Sequence, residues 1–192
     1  MKTITKLLAV IAAISLTGCQ QKAPQVIIKT AMGDIVAEIY TDKAPVTATN
    51  FLKLTDKGVY NQGNASFYRV VRLDNQPNSP VKIEVIQGGL NERDSEAAIA
   101  HETTDKTRIR HTDGVLSMAR SKPGTASSEF FICIGDQPEL DFGGKRNPDG
   151  QGFAAFGKVI EGMDVVRKIQ SLKDDAQYLV EKVPVLSITR VQ

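Results

Sequence analysis

Short runs in which hydrophobic and polar residues alternate follow one another along most of the chain, and this period of two is typical of half-buried β-strands. Strands are predicted over 26–30, 34–40, 67–71, 83–87, 115–119, 130–134, 154–159 and 185–191. The first two should form a hairpin around Gly33, and Gly88-Gly89 follows the fourth. The third and fourth runs are rich in the β-branched residues that favour strands.

Two other stretches have apolar residues at helical spacing. The first begins at Pro45, because proline is tolerated in the first turn of a helix, and Gly58 suits its C-cap. Its apolar side is supplied by Val46, Phe51, Leu52 and Leu54. The second runs through Met163, Val166 and Ile169. Since strands and helices do not alternate regularly, the pattern disfavours a parallel α/β sheet and predicts a closed, mostly antiparallel β-barrel capped by two helices.

Arg69 lies within an otherwise apolar strand pattern. If the strand is regular, Phe67, Arg69 and Val71 share one face, so the arginine points where the phenylalanine points. An arginine among apolar residues indicates either a satisfied structural ion pair or a functional site. This pattern by itself favours the ion pair.

Four motifs in order change that interpretation. They are Phe67-Tyr68-Arg69-Val70-Val71 ending in Gln87-Gly88-Gly89, Gly114-Val115-Leu116-Ser117-Met118-Ala119, Phe130-Phe131-Ile132-Cys133, and Phe156-Gly157-Lys158-Val159. Together they resemble the cyclophilin family of peptidyl-prolyl cis-trans isomerases, over residues 26–191. The resemblance implies a closed barrel of eight antiparallel strands with two helices. It also implies a reaction that needs no metal and no cofactor.

The resemblance assigns roles to individual residues. Arg69 matches the catalytic arginine of the family, which donates a hydrogen bond to the prolyl nitrogen of a twisted amide. Phe131 and Leu140 match the proline pocket, and Val85 stands where the family usually has methionine. The substrate-binding set that it implies is Phe67, Val85, Gln87, Ala119, Arg120, Phe131, Leu140 and Phe153. Phe130 and Phe131 point to opposite faces of their strand, so one of them is expected in the core.

One segment and two single residues depart from the family pattern. The segment 72–82 is about ten residues longer than the usual family spacing and is rich in turn-forming residues. Counting back from Gln87 puts Glu84 where the family has a pocket phenylalanine, although Ile83 or Val81 is an alternative occupant. Glu139 stands where many eukaryotic members have tryptophan. These departures keep a second hypothesis open, namely a proline-peptide-binding module or chaperone that has lost turnover.

The beginning of the chain has the features of an export signal. Lys2 and Lys6 precede an uncharged apolar run over 7–16, and this run is too short to span a bilayer. Leu16-Thr17-Gly18-Cys19 then resembles the bacterial lipobox, whose cysteine becomes the lipidated first residue. An ordinary secretory signal with a coincidental cysteine is the alternative, but only lipidation requires the cysteine.

We therefore expect a signal peptide over 1–18, a lipid-anchored tether over 19–25 and one isomerase domain over 26–192. The protein should face the periplasm in the cell envelope, held to the membrane through Cys19. Gln20, in place of an aspartate after the cysteine, favours the outer membrane.

Composition narrows the set of partners. Removal of residues 1–18, which contain two lysines, leaves 174 residues with 22 basic and 22 acidic side chains. Nothing in this balance calls for nucleic acid. The cyclophilin resemblance implies unfolded or flexible proline-containing polypeptides as partners, and we expect a monomer. Cys133 is expected to be a buried, inert thiol. His101 and His111 lack metal-ligand spacing, and Asp174-Asp175 is expected to be a solvated pair.

Overall fold

The computed structural model describes residues 22–90 and 96–191. Its strands are β1 (Gln25–Thr30), β2 (Gly33–Ile39), β3 (Ala65–Val71), β4 (Val85–Leu90), β5 (Val115–Met118), β6 (Phe130–Cys133), β7 (Ala154–Glu161), β8 (Asp174–Asp175) and β9 (Tyr178–Arg190). The predicted signal peptide and Cys19 lie outside the described residues. Gln25, expected to end the tether, is the first residue of β1.

The strands form one closed antiparallel barrel. Neighbours follow the order β1-β2-β7-β5-β6-β4-β3-β9, and pairing of β1 with β9 closes the ring of eight. The two-residue β8 extends the sheet only by pairing with the start of β9. The predicted eight-stranded barrel is therefore confirmed, although β9 begins at Tyr178 and is longer than the predicted strand over 185–191.

The described residues contain three α-helices, α1 (Pro45–Asp56), α2 (Thr104–Thr107) and α3 (Met163–Gln170). The prediction of two helices misses α2, which is a single turn. Gly58 follows α1 in the left-handed conformation, with φ 65°, and its N–H donates to Thr55 O at 2.9 Å, as a C-cap glycine should. Val46 was wrongly predicted to face the core, because it is 41% exposed.

No helix among these three is long and apolar enough to cross a bilayer.

Aromatic side chains fill the barrel interior. Phe51 of α1 packs against Phe130 and Phe156 at centroid distances of 5.4 and 5.0 Å, and Phe67 meets Phe130 edge to face at 5.9 Å. Ile169 of α3 is fully buried in the same cluster. Edge-to-face pairs are a favoured aromatic geometry, so these rings fix how the helix and strands pack.

A β-bulge in β3 decides which side chains reach the barrel interior. Phe67 pairs with Gly88 and Arg69 pairs with Gln87, which leaves Tyr68 as an extra residue. Phe67 and Arg69 therefore lie on opposite faces, and the prediction that they share one is wrong. Phe67 occupies the space beside Gly88, where a Cβ atom would lie 2.8 Å from its ring.

Candidate functional site

A row of paired residues crosses the outer face of the sheet. Arg69 of β3 pairs with Gln87 of β4, Gln87 pairs with Phe131 of β6, and Phe131 pairs with Ser117 of β5. Side chains at paired positions lie side by side. The register therefore brings an arginine, an amide and an aromatic ring together from motifs that are far apart in sequence.

A groove of ≈ 320 Å³ opens over this row. All the predicted site residues except Phe67 line it, together with several that were not predicted. The predicted group is Arg69, Val85, Gln87, Ala119, Arg120, Phe131, Leu140 and Phe153. Phe67 lies instead in the barrel core at 0% exposure, so the expectation that it contacts substrate is corrected.

The Arg69 guanidinium is held along one edge. Its Nε and Nη2 donate to Gln177 Oε1 at 3.2 and 2.6 Å, and its Nη1 donates to Gln87 Oε1 at 2.9 Å. No carboxylate lies within ion-pairing distance of Arg69 in residues 22–90 and 96–191, so the structural ion pair is not what holds it. Three of its five N–H groups are used. The other two have no partner among the described side chains.

Gln87 is fixed from its other end. Its Nε2 donates to Tyr68 Oη at 2.8 Å and to Glu129 Oε2 at 3.2 Å, and Tyr68 Oη donates to Glu129 Oε2 at 2.6 Å. This contact orients the Gln87 amide so that its oxygen faces Arg69. Tyr68 and Glu129, which the sequence did not single out, thus support Arg69 indirectly, by holding Gln87.

The apolar wall of the groove is a cluster separate from the barrel core. Val85, Phe131 and Leu140 are buried in it, with Ala119 and Phe153 packed against them. The Phe153 ring meets Phe131 edge to face at 5.2 Å. These side chains make a concave apolar surface of the kind that takes a small ring.

The space that the count from Gln87 assigned to Glu84 is filled by Ile83. Ile83 belongs to the apolar cluster and lines the groove. Glu84 Oε1 instead accepts from Gln170 Nε2 at 3.4 Å, away from the groove wall. Of the alternatives open at the sequence level, the structure selects Ile83.

Arg120 braces the groove rim through its side chain. Its Nη1 and Nη2 donate to the two carboxylate oxygens of Asp149 at 2.8 and 2.9 Å, and its Nε donates to Gly152 O at 2.8 Å. The guanidinium lies over the Phe153 ring, 5.1 Å from its centroid. The Arg120 hydrogen bond lowers the pKa of Asp149 to about 2.

His111, Asp141 and Ser117 form a buried chain behind the groove. His111 Nδ1 lies 2.8 Å from Asp141 Oδ1, and its Nε2 lies 2.9 Å from Ser117 Oγ. The order resembles a hydrolase triad, but Ser117 is 0% exposed, so no substrate reaches its hydroxyl. The His111 imidazole stacks on the Phe131 ring, with 6.0 Å between the ring centroids. His111 therefore supports the pocket wall.

The remaining sequence predictions have mixed outcomes. His101 Nε2 lies 3.1 Å from the backbone oxygen of Gln151, 50 residues further along the chain. Cys133 is buried, as expected, and burial raises the pKa of its thiol. The prediction that Asp174 is solvated is wrong, because its carboxylate forms an ion pair with the Arg72 guanidinium. Glu139 Oε2 accepts from the backbone N–H of Lys145 at 2.8 Å and does not line the groove.

The long segment 72–82 holds in place a groove residue, Arg146, that lies outside the segment. Arg146 Nη1 donates to Gln76 Oε1 at 2.9 Å, Ser79 Oγ at 2.8 Å and Val81 O at 2.6 Å, and Arg146 lines the groove. Burial and the nearby charge of Arg69 lower the pKa of Arg146. The insertion therefore holds Arg146 at the groove without lining the groove itself.

A family profile described as cyclophilin type peptidyl-prolyl cis-trans isomerase/CLD matches residues 25–190. The chain belongs to this family. A peptidyl-prolyl cis-trans isomerase of Acinetobacter baylyi is 34% identical over 157 residues, covering 81% of this chain and 77% of that protein. Peptidyl-prolyl cis-trans isomerase B of Escherichia coli is 33% identical over 156 residues, covering 81% of this chain and 89% of that protein.

Solved cyclophilins share the fold. A Cryptosporidium parvum cyclophilin type peptidyl-prolyl cis-trans isomerase superposes with a TM-score of 0.71 at 22% identity, covering 88% of this chain and 98% of that one. The predicted family, fold and enzyme class are thus confirmed. The Arg69 groove combines a hydrogen-bond donor with a concave apolar surface.

Proposed function

We propose that this cyclophilin accelerates rotation about X-Pro bonds in secreted or envelope polypeptides, with Arg69 as the catalytic donor. The uncatalysed rotation has a barrier of about 18–20 kcal/mol, because the amide C–N bond has partial double-bond character. An enzyme lowers it by binding the twisted amide better than either planar form.

The observation that carries the proposal is the state of Arg69. Gln87 and Gln177 hold its guanidinium in place while two N–H groups have no partner among the described side chains. In the twisted amide the prolyl nitrogen becomes pyramidal and gains a lone pair. An N–H group of Arg69 then donates to that lone pair. The lone pair is available only in the twisted transition state, so the hydrogen bond stabilises that state and neither planar form.

The apolar wall places the substrate. The proline ring occupies the concave surface of Val85, Phe131 and Leu140, and Gln87 lies beside it to contact the substrate backbone. A solved Cryptosporidium cyclophilin with this fold was crystallised in the presence of the dipeptide Ala-Pro, which supports a small proline ligand for the groove. A module without turnover is not favoured, since the relatives are named as isomerases.

Exchange NMR on a short X-Pro peptide tests the role of Arg69. Arg69→Ala should lower the isomerisation rate by about 100-fold, comparable to the loss of one transition-state hydrogen-bond donor elsewhere. Arg69→Lys is the matched control, because it keeps the charge and loses the planar donor pair. Wild-type rates in Arg69→Ala would refute the assignment.

Attachment to the envelope is a separate part of the proposal. It rests on the basic start, the apolar run over 7–16 and Cys19 in Leu16-Thr17-Gly18-Cys19. A Cys19→Ser variant should fail to incorporate labelled fatty acid and should leave the membrane fraction. Unchanged labelling in Cys19→Ser would exclude lipidation at this residue.

A further inference from the structure

The hairpin between β8 and β9 has an unusual tip. Its two loop residues, Ala176 and Gln177, have φ values of 46° and 77°, as in a type I′ turn. Such turns favour Asn-Gly, because L-residues with a side chain resist the left-handed region. Backbone of this kind persists only where the surrounding structure holds it, and it often marks a functional site.

Gln177 is held through both its backbone and its side chain. Its backbone N–H donates to Asp174 Oδ2 at 2.9 Å, and its carbonyl accepts from Val70 N–H at 2.8 Å. Its side-chain Nε2 donates to Asn75 O at 3.1 Å, which leaves Oε1 to accept from Arg69. The amide orientation is therefore set by Asn75, and the acceptor faces the guanidinium.

A charged cluster anchors the base of this hairpin. Asp174 pairs with Arg72 and also accepts from Asn75 Nδ2 at 3.0 Å. Arg72 in addition donates to Gln170 O, at the end of α3, at 2.9 Å. The start of the long segment 72–82 and the end of α3 thus fix the hairpin tip relative to β3.

We propose that Gln177 is a positioning residue for prolyl isomerisation, which it serves by fixing the guanidinium of Arg69. The inference rests on the catalytic role proposed for Arg69. Gln177 accepts two of the three hydrogen bonds that this guanidinium donates to described side chains, so it sets the plane in which the other two N–H groups point. Small displacements of a catalytic group lower rates steeply.

A pair of glycine variants separates this role from stability of the turn. Gln177→Gly removes the acceptor and suits the left-handed backbone, so the fold should be kept and kcat should fall about 10-fold or more while KM changes little. Ala176→Gly is the matched control in the same turn, because Ala176 is exposed and does not line the groove. It should keep the wild-type kcat. Chemical denaturation of both variants measures the fold.

Side-chain variants test the acceptor itself. Gln177→Glu keeps an oxygen opposite Arg69 Nε, whereas Gln177→Met has similar length and no comparable acceptor. The Gln177→Glu variant should therefore retain more isomerase activity than the Gln177→Met variant. The ¹⁵N-attached Nε proton of Arg69, assigned by its loss in Arg69→Lys, should exchange with water faster in the Met and Gly variants than in the wild type.

The outcomes are distinguishable. A wild-type kcat in both Gln177→Gly and Gln177→Met would overturn the positioning role, as would equal losses in Gln177→Gly and Ala176→Gly. If Arg69→Ala retains activity, the proposed catalytic role itself fails. Loss in Arg69→Ala with no loss in the Gln177 variants leaves the function intact and refutes only this inference.

Discussion

Two phenylalanines on strands separated only by β4, Phe67 of β3 and Phe131 of β6, should respond to mutation in opposite ways. Phe67 is fully buried in the barrel core, and Phe131 belongs to the groove cluster. Phe67→Ala removes a ring that has no route to solvent, so it should cost about 3–5 kcal/mol of unfolding free energy. A domain of this size has a total of about 5–15 kcal/mol, so the loss is large but measurable.

Phe131→Ala should act mainly on the reaction. Truncation at the groove floor removes contact with about two or three CH₂ groups of the proline ring, each worth about 0.8 kcal/mol. This corresponds to a loss of roughly 10- to 50-fold in kcat/KM. Because the vacated space opens to the groove, its stability cost should be smaller than that of Phe67→Ala.

Urea denaturation and exchange NMR on both variants decide between these assignments. If Phe67→Ala does not fold, Phe67→Leu is a milder substitution. A double-mutant cycle between Phe67 and Phe130 should give a coupling free energy of about 0.5–1.5 kcal/mol for the contact between the two rings. A variant of Phe67 with native stability and reduced substrate affinity would show that the core assignment is wrong.

Two further predictions concern pH and inhibitor binding. Burial works to raise the pKa of Asp174, but hydrogen bonds from Arg72, Gln177 and Asn75 outweigh it and lower that pKa below 3.8. The stabilisation is therefore present above pH 3.8 and is lost as pH falls through the folded-state pKa, so the stability gap between wild type and Asp174→Asn should narrow in acid denaturation. A constant gap would exclude the ion pair as its source. Cyclosporin-type inhibitors should bind weakly, since Glu139 stands where many eukaryotic members have tryptophan, and an ionised carboxylate offers neither the apolar contact area nor the N–H of an indole. Glu139→Trp should tighten binding in calorimetric titration with little change in turnover, and tight binding by the unaltered protein would contradict this.

The sequence predicted the barrel and most of the groove because both depend on patterns of period two and on ordered motifs. Val85, Phe131 and Leu140 are all where the motifs place them. The pattern failed at Phe67, because a bulge changes the phase of a strand and leaves no mark in a run of residues that are nearly all buried. The ion pair of Asp174 was missed for a different reason: its partner Arg72 is about a hundred residues away.

The supports of Arg69 were also not predictable. Ala176-Gln177 lacks the glycine that announces a type I′ turn, so the hairpin and the first half of β9 were not recognised. The role of Gln177 depends on the register of β9 with β3, which brings the turn to the bulge. Such tertiary contacts override local preference.

The extra residue in β3 makes the register of this strand with β4 more critical than its composition. One residue inserted between Gln87 and Gly88 would give Tyr68 a partner and restore a regular ladder, and then Phe67 and Arg69 would fall on one face. Either the ring would leave the core or the guanidinium would enter it, and an unpaired buried charge is costly. The bulge therefore constrains the two strands as a pair, and one residue added to β4 opposite Tyr68 should cost the fold or the site.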